Sequence, residues 1–100
     1  MKSYVISENH DSFLGMQLAG IEGIYLKTKI EIEEAFREAL NNKDIGIIFL
    51  TEKAYLMMEE LVLESKKKYF SPLITIIPDR YGYERNEGMI TRYIKESVGL

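Results

Sequence analysis

A chain of 100 residues with 46% hydrophobic content can build one compact domain burying about two thirds of its unfolded surface, and it excludes a second. Thirteen basic against sixteen acidic residues leave a formal charge of −3, which excludes a chain-wide positive field for nucleic acid or an anionic membrane. The absence of cysteine excludes disulfides, thiolate metal sites and cysteine nucleophiles.

The chain opens on MKSYVISENHD, which lacks a signal-type apolar stretch. The longest apolar runs fall far short of the ~20 residues that span a bilayer, so a membrane link is expected only through a partner. Residues 3–7 read as a first strand. Asp11 or Ser12 is expected to cap a first helix that runs to about residue 19. On a wheel of that helix Leu14 and Leu18 share a face, whereas Phe13 and Met16 point well away from it. A helix apolar nearly all round is expected to be covered on more than one side.

A second strand is expected at 23–27. Thr28 and Glu31 then form a capping-box pattern, and Ile32, Phe36, Ala39 and Leu40 follow the stripe of a helix resting on a sheet. Residues 45–50, IGIIFL, hold no polar position, as expected of a central strand buried on both faces. Thr51 is expected to cap a third helix with a core stripe of Ala54, Met58, Leu61 and Val62, and with Leu56 and Leu63 opposite that stripe. The run Lys66, Lys67, Lys68 puts cations where a helix C-terminus favours them. Pro72 and Pro78 bracket a fourth strand at 73–77. The loop PDRYGYERNEG leads into an amphipathic last helix, about 87–98, with Ile90, Tyr93, Ile94 and Val98 on one side.

Strands alternating with helices predict an α/β fold: a Rossmann-like four-stranded parallel sheet of order 2-1-3-4 flanked by helices, with an amphipathic C-terminal helix. The core domain is expected over residues 1–78, and 79–100 as a loop and helix able to move. Right-handed crossovers put helices two and three on one face of the sheet and helix one on the other. That leaves room beside helix one, and the C-terminal helix is its natural occupant, docked there or released to a partner.

Little in the chain points to bond-making chemistry. The glycines of GMQLAGIEG are spaced G-x4-G-x2-G, with Gly15 inside the first helix, Gly20 just beyond its end and Gly23 at the start of the next strand, so they do not join a strand to a helix start. Both the dinucleotide fingerprint and the P-loop therefore fail. Gly20 reads as a left-handed cap residue after helix one, and Gly15 as a close-packing position. His10, the sole histidine, has no set of partners for a metal or a triad. Acids do gather at the carboxyl edge of the sheet, where Glu8, Asp11 and Glu52 invite a receiver-like phosphocarrier or small-ligand reading. Against it, the third strand closes on Leu50 and Thr51 rather than an aspartate. No catalytic residue, cofactor or metal is expected.

LGMQLAGI after the first strand, DIGIIFLTE at the third, PLITIIP at the fourth and a closing IKESVGL appear in order and span nearly the whole chain. This ordered set resembles the F subunit of the V-type and A-type ATPases, the small rotor-stalk protein of those rotary machines. Family members often carry Phe-Arg where this chain has Met16 and Gln17. The resemblance implies a non-catalytic central-stalk protein that binds the coiled-coil D subunit. It also implies a mobile C-terminal helix that reaches the ring of catalytic A and B subunits and influences ATP hydrolysis. A cytoplasmic location, peripheral to the membrane through the complex, goes with it. Partner contact is expected from Tyr83, Arg85, Met89, Ile90, Tyr93 and Ile94 of the final segment, and from Phe13, Met16, Leu56 and Leu63 of the helices. A homo-oligomer using the helix-one surface is a third possibility.

Overall fold

The computed structural model describes residues 1–78. In it the chain runs β1 (Lys2–Ser7), α1 (His10–Leu18), β2 (Glu22–Tyr25), α2 (Lys29–Asn41), β3 (Ile45–Thr51), α3 (Glu52–Met57), α4 (Glu59–Lys68) and β4 (Leu73–Ile77). All neighbouring strands pair in parallel, in the order β2-β1-β3-β4, which is the expected α/β topology. The C-terminal helix expected at 87–98 lies outside the described residues.

Period-two alternation sorts the strand side chains into two faces. In register, Ile6 stands between Ile24 and Leu50, with Ile76 next to Leu50. This row packs with Ile48 and Ile74 against Ile32 and Phe36 of α2, Ala54 and Tyr55 of α3, and Val62 of α4. Every apolar position of the expected α2 stripe turns inward, and the stripe also takes in Ala35. No side chain of α1 joins this cluster. The other face holds Val5, fully buried, but Ile47 and Phe49 of β3 and Thr75 and Ile77 of β4 are only half-buried. Burial of β3 on both faces is thus met on the α2–α4 side alone, because α1 packs over β1 and β2.

The helix boundaries follow local hydrogen bonding. The hydroxyl of Ser7 donates to the Asn9 carbonyl at 2.7 Å, and its oxygen accepts from the Asn9 N–H at 3.0 Å. The chain therefore turns two residues past β1, and Asn9, rather than Asp11 or Ser12, caps α1 by accepting from Ser12 N–H at 2.9 Å. Asp11 becomes an acid of the first turn, favourable beside the helix N-terminus. Thr28 caps α2 as expected, with its oxygen accepting from Glu31 N–H at 3.3 Å and its hydroxyl donating to Glu31 Oε1 at 2.7 Å. Thr51 occupies the corresponding position before α3, but its side chain makes no capping bond, and its buried hydroxyl meets no partner among the described residues.

The third expected helix is two helices. Met58 adopts φ −139° and ψ 36°, which interrupts the ladder between α3 and α4. Its side chain is nonetheless buried with Ala54 and Val62.

Two glycines have conformational reasons to be where they are. Gly20 has φ +86°, and around it Gly20 N–H reaches the Gln17 carbonyl and Ile21 N–H the Met16 carbonyl, each at 2.9 Å. This paired bonding is a Schellman ending of α1, which calls for a left-handed residue. Gly23 pairs with Val5 in register, and a Cβ there would run into the Val5 side chain and carbonyl. Gly15, expected to pack closely, has nothing within 4 Å of where a Cβ would stand.

Candidate interaction surfaces

The acids of the carboxyl edge do not converge. Glu8 is half-buried after β1, Asp11 is exposed on the first turn of α1, and Glu52 is 2% exposed at the start of α3. Among the described residues no group of three or more histidine, aspartate or glutamate side chains is placed to hold a metal ion. His10 opens α1 with its Nδ1 3.8 Å from Asp11 Oδ1, both groups exposed. The geometry a receiver-like phosphocarrier needs, several carboxylates around one cation, is not assembled at Glu8, Asp11 and Glu52.

Instead, the edge beside α1 carries an aromatic cluster that the sequence pattern did not reveal. Tyr25, the last residue of β2, stacks on Phe13 with ring centroids 6.3 Å apart and 26° between planes. It also meets the edge of His10 at 5.5 Å, and Lys27 Nζ stands 6.0 Å from its centre. The cation lies at the outer limit of useful cation–π attraction. The stacking sets the rotation of α1. Phe13 and Met16 are half-buried, while Leu14 is exposed and Leu18 is 82% exposed. The side of α1 turned away from the sheet is therefore the Leu14 and Leu18 side, opposite to the simplest reading of the wheel.

On the other face of the molecule, the break at Met58 separates the two leucines expected to lie together. Leu56 is exposed and borders a groove of about 550 Å³ with Met57, Leu61, Lys29 and Glu33. Leu63 is half-buried against the core. A helix resumed after a non-helical residue has a new rotational phase, so a wheel carried through position 58 misplaces everything beyond it. Tyr83, Arg85, Met89, Ile90, Tyr93 and Ile94 lie outside the described residues.

The profile of the ATP synthase (F/14-kDa) subunit matches residues 4–94. The chain belongs to that family. Among its relatives, the A-type ATP synthase F subunit of Thermococcus kodakarensis is 28% identical over 105 residues, covering 100% of this chain and 96% of the relative. The protein of the same name from Methanocaldococcus jannaschii is 27% identical, with 100% and 97% covered. That of Methanothermobacter thermautotrophicus is 31% identical over 94 residues, covering 92% and 88%. The likeness to these F subunits thus runs through all four strands and past the described residues. Within the described residues no helix is long and apolar enough to cross a membrane.

Proposed function

We propose that this chain is a non-catalytic central-stalk component of a V-type or A-type rotary ATPase. It binds the coiled-coil D subunit and couples or regulates ATP hydrolysis and synthesis with ion transport. Residues 79–100 form its mobile element, which reaches the catalytic A and B ring through Tyr83, Arg85, Met89, Ile90, Tyr93 and Ile94. Phe13, Met16, Leu56 and Leu63 supply further contact positions. The protein acts in the cytoplasm, held near the membrane by the complex, without nucleic acid and without inserting into the bilayer.

The observation that carries this reading is likeness along the full chain to the F subunits of A-type ATP synthases. Apolar surface supports it: the exposed leucines of α1 and the half-buried β3–β4 face leave hydrophobic area that binding would cover. Co-expression with the D subunit tests it directly. A stable one-to-one complex is expected on size exclusion, and two proteins that elute separately at micromolar concentration would refute the assignment.

A further inference from the structure

The helix α4 carries its charges in two blocks, with Glu59 and Glu60 in the first turn and Lys66, Lys67 and Lys68 in the last. Glu60 and Lys67, seven positions apart, fall on one side of a helix that turns every 3.6 residues. Both are exposed, and neither forms an ion pair among the described residues. Glu64, between them on that side, is held by its own Lys68 at 3.5 Å. Bare apolar groups flank both ends of the helix. Beyond its C-terminal end Phe70 is 105% exposed. Before its N-terminal end Leu56 is 37% exposed and borders, with Met57 and Glu60, the groove of about 550 Å³ beside α2.

We propose that this side of α4 is a self-association surface, on which a second copy of the chain lies antiparallel across a two-fold axis near Leu63 and Glu64. A two-fold contact presents one patch to itself, so each group must find its complement on that same patch. Here Glu60 and Lys67 share their midpoint along the chain with Met57 and Phe70. A reversed copy therefore sets Lys67 against Glu60 of the other chain at both ends. It also carries each Phe70 ring into the other's groove, where Leu56 and Met57 cover it, and thioether sulfur suits an aromatic edge. The two Glu64 carboxylates at the centre stay neutralised by their own Lys68. A wholly acidic or wholly basic partner meets like charge at one end of α4, whereas an antiparallel copy meets none. A ten-residue helix is about 15 Å long, so the contact belongs to the small, transient class of interface.

Sedimentation equilibrium of the isolated full chain tests this. The mass is expected to rise from one chain toward two as concentration climbs from micromolar to millimolar. Lys67→Glu or Glu60→Lys alone should weaken association about ten-fold, since each sets like charges together at both ends of the contact. The two changes in one chain restore the pairing and should bring the affinity back to within about three-fold of the wild type. An equimolar mixture of the two single variants should associate more tightly than either alone. Phe70→Ser should weaken association about ten-fold or more, the size expected of an aromatic hot spot. That change leaves the charges of α4 untouched, and it decides the matter alone should a charge variant fail to fold. A chain that stays monomeric throughout, a dimer indifferent to Lys67→Glu and Phe70→Ser, or a charge-swapped chain no tighter than the single variants overturns the proposal. None of these outcomes bears on binding to the D subunit, so the stalk reading stands or falls separately.

Discussion

Tyr4 stands between Glu22 and Ile48 in the sheet register. Burial pushes its phenol above the ordinary tyrosine range, and the nearby Glu38 and Glu22 carboxylates add to the shift. The folded chain thus holds this proton more tightly than the unfolded one. Its contribution to stability is complete below the unfolded pKa of about 10 and is lost as pH rises from there through the folded value. Thermal unfolding followed from about pH 8 to about pH 11 should show Tm falling above pH 10, with a shallower fall in Tyr4→Phe. Equal slopes in the two proteins would show that another group governs the alkaline limit. Other residues were legible without any structure. Thr28 with Glu31 announced a helix start because the bonds involved span only three positions. Asn9 was not legible in the same way, since what promotes it to the cap is the hold of Ser7 on its backbone.

Between elements, the end of α1 shows how a backbone conformation selects a residue. Gly20→Ala forces a Cβ into the left-handed region at φ +86° and should cost about 1 kcal/mol. Gly15→Ala, in the interior of the same helix with open space around it, should stabilise by about 0.5–1 kcal/mol. Denaturant unfolding of the pair is expected to give shifts of opposite sign, and like signs would contradict the assigned ending. β1 and β3 were readable to within one residue and β4 at 73–77 fully, because Pro72 and Pro78 limit it from both sides, whereas the second strand, expected at 23–27, ends two residues earlier at Tyr25. The α3–α4 break was not readable, because nothing in EKAYLMMEELVLESKKK forbids one continuous helix. The interruption at Met58 still leaves its side chain buried with Ala54 and Val62, so packing against the sheet, not local preference, accommodates it.

Across the whole molecule, the two faces of the sheet are unequally clothed: α2, α3 and α4 supply a continuous core on one side, while α1 covers β1 and β2 on the other. The proposed function makes residues 79–100 the part that moves between this chain and a partner, a proposal that amide exchange over residues 87–98 tests. Their amides are then expected to exchange faster than those of β1 and β3 in the isolated protein, and to slow on binding the D subunit. Protection equal to that of the strands in both states would refute a moving segment.

Periodicity, prolines and a capping pair were enough to establish from the chain alone an α/β domain with its strands, their parallel pairing and the inward stripe of α2. Such signals are local, or follow from the handedness that every strand–helix–strand unit shares. Which side of α1 meets the sheet, why position 23 must be glycine, and how bare Phe70 stands depended on what lies opposite each residue in space. Tyr25, Val5 and Phe70 are distant in sequence from what they meet, or defined by what fails to meet them. Only the folded chain brings those distances together.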